Sequence, residues 1–286
     1  MSEFSGRSHL CYYGEVCLPD GIQRVERNGL FYLCSTHLSG LGVPHLFSTR
    51  LNQRADAGFE LDLGFKGGAN PEAVIQTRKL ACEALGADLS RLTVAQQVHS
   101  GRAVVIHRPN VGRGARGRED AIPGADGMVT DVPGAVLLIL TADCLPVLLF
   151  DPGGRVGAFH AGWRGALAGI ARNTVGRMVG RWGSNPPDLI AVLGPAIRQC
   201  CFEVGPEVAE RFSMASRGYE RQTVIPREGR LFVDLPAFVK NELIRVGLEE
   251  GNIIDVGLCT SCLPDLFYSF RRDRRLVGSQ GAMICM

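Results

Sequence analysis

No apolar run in this 286-residue chain reaches the roughly 18 to 20 residues that span a bilayer. The longest, Ala135 to Leu140, breaks at Thr141 and Asp143, so no membrane partner is expected. Neither sign of charge dominates: 31 Lys and Arg stand against 29 Asp and Glu, a net +2. The basic face that grips a phosphate backbone is therefore lacking, and no nucleic-acid partner is expected. The opening stretch, MSEFSGRSHLCYYGEV, has no continuous apolar segment of the kind a secretory signal needs, so the expected location is cytoplasmic. Two phosphate cradles are missing as well: no G-x-x-x-x-G-K-[ST] loop, and no G-x-G-x-x-G directly following a strand. Histidine is scarce, with only six, and no H-x-x-x-H spacing marks a metal site.

What is present suits an ordinary globular enzyme. Hydrophobic residues make up 45% of the chain, enough at this length for a large core without disulfide staples. In a reducing compartment most of the ten cysteines are then free thiols. Asn70-Pro71-Glu72 predicts a helix start, with Asn70 as cap, Pro71 at the first helical position and Glu72 near the positive end of the dipole. Val74, Leu80, Ala81 and Leu85 continue its stripe, and Gly86 stops it. Strands are expected from Leu92 to Val98, from Ala103 to His107 and from Ala135 to Thr141. A hairpin is expected across Asp151-Pro152-Gly153-Gly154, which joins Pro146–Phe150 to Val156–His160. The Gly- and Arg-rich residues 108 to 120 read as a mobile surface loop. Gly165 to Arg181 reads as one helix, and Leu266 to Phe270 as a strand. Strands and helices mix without strict alternation, which predicts an α/β fold: a single-domain sandwich with a mixed central sheet flanked by helices. The oligomeric state is left open.

Three segments gather the reactive side chains: Gln96-Gln97-Val98-His99-Ser100, Thr141-Ala142-Asp143-Cys144, and His160-Ala161-Gly162-Trp163-Arg164. Each ends an expected apolar strand, and strand ends can converge on one sheet edge. Imidazole and thiolate both suit zinc, and three protein ligands leave a fourth position open, as catalytic sites do. Spacing alone leaves the alternative that each is an ordinary core or surface residue. Cys259-Thr260-Ser261-Cys262 has no second C-x-x-C to complete a four-thiolate site, and the adjacent Cys200 and Cys201 are poorly placed to share one ion. All four are therefore expected to be mainly structural, with Cys201 also a candidate to line the site. Arg50, Arg164, Arg198 and Arg271 are the candidates for gripping a phosphate, because a guanidinium presents paired donors.

Taken in order, FSTR (47–50), QQVHS (96–100), ADGMVTD (125–131), TADCLPVLLFD (141–151), GAFHAGWRG (157–165), LGPAIRQCCFEVG (193–205), LFYSFRRD (266–273) and GSQGAMI (278–284) resemble the YfiH-like, laccase-domain family. The resemblance covers about residues 44 to 286. It implies a catalytic domain there, preceded by an extension and first strands in residues 1–43. It implies one zinc ion held by His99, Cys144 and His160, with copper as the lesser alternative. It also implies purine nucleosides and phosphate as substrates, for phosphorolysis of adenosine, inosine, guanosine or methylthioadenosine and for deamination of adenosine. Leu51-Asn52-Gln53-Arg54 departs from the family's usual Gly-Gly-Val-Ser after the FSTR arginine, which bears on substrate choice.

On that reading Cys144, Asp143 and Arg50 are the catalytic candidates. Arg50, Gln97, Arg164, Arg198 and Cys201 are the substrate-binding candidates, with Arg50 first and Arg198 second for the anion. Asp143 or Glu203 would move protons during deamination. Along with a non-catalytic binding module, two other enzyme readings stand beside it. One is a hydrolase editing peptidoglycan precursors, with Cys144 as nucleophile and His160 as base. The other is a copper polyphenol oxidase, which six histidines, His9, His37 and His45 among those outside the matched strings, serve poorly.

Overall fold

The computed structural model describes residues 18–52, 61–66, 68, 70–219 and 221–286; Gln53 and Arg54 of the departing loop lie outside them. Two six-stranded mixed sheets face each other. In the first, the strands lie in the order Ile22–Arg27, Leu30–Ser35, His45–Asn52, Gln280–Cys285, Val136–Thr141, Leu92–Val94. In the second the order is Ile253–Asp255, Ile190–Leu193, Leu145–Asp151, Arg155–Ala161, Gly127–Thr130, Ala103–Val105. Most neighbours are antiparallel; the pairs Leu92–Val94 with Val136–Thr141, Ala103–Val105 with Gly127–Thr130 and Ile253–Asp255 with Ile190–Leu193 are parallel.

Period-2 alternation builds the layers. Leu137 and Ile139 point between the sheets, where they meet Leu148, Ala158 and Val192. Their neighbours Val136 and Leu138 point outward onto the helix Pro71–Ala84. In the second sheet Val147 and Leu149 point outward, onto the helices Ile170–Trp182 and Leu235–Arg245. Each fully buried aliphatic side chain is worth about 1.5 to 3 kcal/mol, so both faces of both sheets contribute. The sandwich and the mixed strand order match expectation, and the central layer is double. The strands Ile22–Arg27 and Leu30–Ser35 pair into the same sheet as His45–Asn52, so the described part of residues 1–43 shares that sheet.

Asn70 caps its helix as expected, its side chain accepting from the Glu72 N–H at 2.9 Å, an arrangement worth about 1 kcal/mol. The hairpin forms across residues 151–154. Other expectations shift. The helix expected over Gly165 to Arg181 is two, Trp163–Leu167 and Ile170–Trp182, parted at Gly169 with φ +78°. Residues 266–269 are not a strand but lead into the short helix Phe270–Asp273. Among the described residues no helix is long and apolar enough to cross a membrane.

Candidate active site

The strand Leu92–Val94 stops earlier than the sequence suggested, and residues 96–99 run on as an irregular segment. That segment turns at His99, whose φ of +61° lies in the left-handed region that non-glycine residues avoid. Asp126 holds the turn. Its carboxylate, fully buried, accepts the backbone N–H groups of Val98 at 3.2 Å, His99 at 2.9 Å and Ser100 at 2.7 Å, and also the Ser100 hydroxyl at 2.8 Å. The same carboxylate lies 2.9 Å from Nδ1 of His160, at the end of the strand Arg155–Ala161. That contact leaves Nε2 of His160 for the site, the arrangement by which a carboxylate orients a metal-binding histidine.

Cys144 follows Asp143, which has φ +98°. Strain of this kind costs on the order of 1 to 3 kcal/mol and gathers at functional sites. Here it is held by contacts. Asp143 Oδ1 accepts from the Thr260 hydroxyl at 2.7 Å, Oδ2 accepts from the Arg271 N–H at 2.7 Å, and its carbonyl accepts from the Ile197 N–H at 2.8 Å.

The structure brings His99, Cys144 and His160 together: one ligand atom from each lies within 4.8 Å of the others. Cys144 Sγ is 3.9 Å from His99 Nε2, and the two imidazoles meet edge to face at 4.8 Å. Gly162 completes the cradle, because a Cβ there would lie 2.7 Å from the His99 ring and 3.1 Å from Cys144 Sγ. Two nitrogens and a sulfur at this spacing fit a metal ion.

Charges in the trio reinforce one another. Burial pushes the Cys144 thiol up, but the charge and hydrogen bond of His160, helped by His99, outweigh it and hold the thiol down at about 6. Burial pushes His160 down, but Cys144 and Asp126 outweigh it and raise the imidazole to about 9. Burial alone would raise Asp126; its hydrogen bonds from His160 and Ser100 instead lower it to about 2. Without a metal the site is a thiolate–imidazolium pair anchored on a carboxylate.

The trio opens onto a cavity of about 630 Å³, within the size range of small-molecule sites. Phe65, Trp163, Phe202 and Phe270 supply aromatic walls, and Phe270 and Val98 stand more than half exposed at its rim. Residues 114, 117 and 118 form another wall, which corrects the expectation of a mobile surface loop over 108–120. Buried Arg78 ties this segment to the helix Pro71–Ala84 by donating to the Gly114 carbonyl at 2.6 Å and the Ala115 carbonyl at 3.0 Å. Gly112, Gly114 and Gly117 do spell G-x-G-x-x-G, but they follow a 3-10 turn and open no helix.

The expected substrate residues divide. Gln97 lines the cavity, yet its amide is spent on the strand edge, donating to the Leu140 carbonyl and accepting from the Leu140 N–H, both at 2.8 Å. Asp143 is the one carboxylate among the described lining residues; Glu203 is exposed and pairs with Arg230 at 3.4 Å. Three of the four arginines are not on the described wall. Arg50 stacks on Tyr268 and donates to the Pro264 carbonyl at 3.1 Å. Arg164 lies over the Trp163 ring at 4.2 Å. Arg198 makes a bidentate pair with Asp255, both bonds 2.7 Å. Arg271 does line the cavity, its Nη1 braced on the carbonyls of Cys201 at 3.0 Å and Glu203 at 2.9 Å. Cys201 therefore supports the wall through its carbonyl, while its sulfur turns to Cys262 at 3.3 Å. Arg118 and Lys66 are further cations on the wall. Asp126 escaped the sequence reading although it sits in ADGMVTD. Its one sequence signal was an acid between the small residues Ala125 and Gly127, just ahead of an apolar strand.

Residues 44–286 match the sequence pattern of a family described as multi-copper polyphenol oxidoreductase laccase. The chain is 33% identical to "purine nucleoside phosphorylase YlmD" of Geobacillus stearothermophilus, over 78% of this chain and 82% of that protein. It is 36% identical to "adenosine deaminase RL5" of an unknown prokaryotic organism, over 70% and 76%. The crystal structure of YlmD from Geobacillus stearothermophilus superposes with a TM-score of 0.85 at 30% identity, covering 93% of this chain and 99% of that one. The Bacillus licheniformis hypothetical protein YfiH gives 0.83 at 30% identity, covering 94% and 100%. With the matched pattern spanning most of the chain, this protein belongs to the laccase-like YfiH family of enzymes.

Proposed function

We propose that this chain is a zinc-dependent purine nucleoside phosphorylase that also deaminates adenosine, and that it accepts methylthioadenosine. The observation that carries the reading is a three-ligand set opening on a cavity with aromatic walls and an arginine. Two imidazoles and a thiolate suit zinc and leave one position open. They serve a multi-copper oxidase poorly. Among the described residues the other group able to hold a metal has four thiols and no imidazole, and His45 is spent on the Ser35 N–H and the Val43 carbonyl.

His99, Cys144 and His160 would hold the ion, which when bound supplies Lewis-acid chemistry at its open position. The remaining work falls to the chain. The aromatic walls take the flat purine, since ring faces stack on one another. Arg271, fixed by two carbonyls, grips phosphate. In phosphorolysis a phosphate oxygen bonds to the anomeric carbon while the carbon–nitrogen bond to the base breaks, its electron pair leaving with the purine. Positive charge builds on the sugar as this happens, and the Asp143 carboxylate favours it. In deamination the same carboxylate would move protons at C6 of adenine, in preference to Glu203, which is exposed and paired with Arg230. The relative named an adenosine deaminase supports carrying this second reaction.

The test is base release from adenosine, inosine, guanosine and methylthioadenosine, with and without phosphate, by the wild type and by Cys144→Ala. Phosphate-dependent release, lost in the variant, is expected. Full activity in the variant would rule out the metal role. Inert nucleosides together with turnover of a cell-wall precursor would favour the hydrolase instead.

A further inference from the structure

Cys200, Cys201, Cys259 and Cys262 form a second cluster whose four sulfurs all lie within 4.8 Å of one another. The sequence had argued against this on two grounds, the missing second C-x-x-C and the adjacency of Cys200 and Cys201. Both fail for the same physical reason. Residues 198–202 form a helical turn, with the Cys201 and Phe202 N–H groups both donating to the Arg198 carbonyl, at 2.9 Å and 2.8 Å. Successive side chains in such a turn diverge by about 100° rather than pointing to opposite faces as in a strand. Both sulfurs thus reach the same partner: Cys200 is 3.5 Å and Cys201 3.3 Å from Cys262 Sγ. The second segment is pinned beside the first. The Ala196 N–H donates to the Leu258 carbonyl at 3.2 Å, and the Thr260 N–H to the Ala196 carbonyl at 3.1 Å.

We infer that these four cysteines are a closed site for a single thiophilic divalent cation, zinc, distinct from the site at His99, Cys144 and His160. Four thiolates around zinc at about 2.3 Å sit about 3.8 Å apart, within about half an ångström of the two contacts given. A disulfide would need about 2.05 Å, and every described cysteine is a free thiol. The spread of 4.8 Å leaves room for one ion, not a multi-iron cluster. On binding, the thiols give their protons to solvent. With four protein ligands no position stays open, so the role is structural.

The cluster lies behind the cavity wall. The Cys201 carbonyl braces Arg271, and the Thr260 hydroxyl, between Cys259 and Cys262, bonds Asp143. Filling it would fix Arg271 and Asp143 from behind.

The experiment is metal analysis of the full chain, expressed with zinc and purified under reducing conditions without chelator. Native mass spectrometry of the wild type is expected to show two zinc ions per chain. A His99→Ala/His160→Ala variant should keep one, and so should Cys259→Ser/Cys262→Ser. If the serine variant fails to fold, the histidine variant still decides. Loaded with cobalt, it should show the thiolate-to-cobalt charge transfer and intense visible bands of a tetrahedral all-sulfur site. A histidine variant that folds but holds no metal overturns the assignment, as does a denatured wild-type mass 2 or 4 Da lighter than the reduced chain. Because the two sites are removed separately, failure here is distinct from failure of the proposed activity.

Discussion

The His99, Cys144, His160 trio and the Cys200, Cys201, Cys259, Cys262 quartet differ in ways that carry function. The trio mixes nitrogen and sulfur, is drawn from one strand end and two irregular segments that follow strands, is oriented by a buried carboxylate and faces a cavity of about 630 Å³. The quartet is all sulfur, comes from two neighbouring turns, and none of its four residues lines that cavity. Three donors and an open side suit chemistry; four donors and none suit a brace. Asp126 sharpens the contrast. It fixes the backbone of residues 98–100 and orients the His160 ring at once, so one buried charge sets two ligands.

The largest effect should come from striking the trio itself. Cys144→Ala should lose one zinc per chain and lower phosphate-dependent base release by more than about 100-fold, beyond the usual cost of a supporting residue. Zinc content and product assay check it together. Next comes Asp126→Asn, which sets an amide NH2 among N–H donors. Zinc affinity or activity should fall about 10- to 100-fold, read by competition with a chromophoric chelator, while the quartet keeps its ion. Third, Arg271→Gln should raise the KM for phosphate, losing about 1.5 to 3 kcal/mol of charge-assisted hydrogen bonding. It should leave zinc content intact and adenosine deamination near wild type.

The trio was legible chiefly through the family resemblance; that each ligand ends an apolar strand or the segment after one left an ordinary core or surface role equally open. The quartet was not legible, because linear spacing hides the pairing of Ala196 with Cys259 and the helical turn that splays Cys200 from Cys201. The arginines show the same limit. Arg198 matches a phosphate fork in type, but Asp255, far along the chain, takes both of its arms. The doubled sheet was hidden too, since a strand buried on both faces looks alike whether helices or a second sheet cover it. The Asn70 cap and the 151–154 hairpin were readable because their partners are local.

The smallest effect is one of pH, in metal-free protein. Cys144, held at about 6 rather than its ordinary 9, is thiolate above pH 6 and thiol below. Its alkylation by iodoacetamide should therefore rise through about pH 6, and zinc should suppress it. His160, raised to about 9, adds stability that is present while protonated and lost as pH rises through 9. The depressed Cys144 gains stability over the same range, so the two oppose each other and thermal melts of the stripped chain should change little between pH 6.5 and 9. A Cys144 that alkylates only above pH 8 would remove the contrast with ordinary buried thiols such as Cys34, which burial pushes up to about 12.

The most direct measurement follows inosine and phosphate to ribose 1-phosphate and free base, in the Cys259→Ser/Cys262→Ser chain carrying one zinc, then stripped of it, then restored. The account predicts equal amounts of the two products, no turnover in the stripped chain, and recovery at one zinc per chain. Undiminished turnover after the ion has left His99, Cys144 and His160 would contradict it.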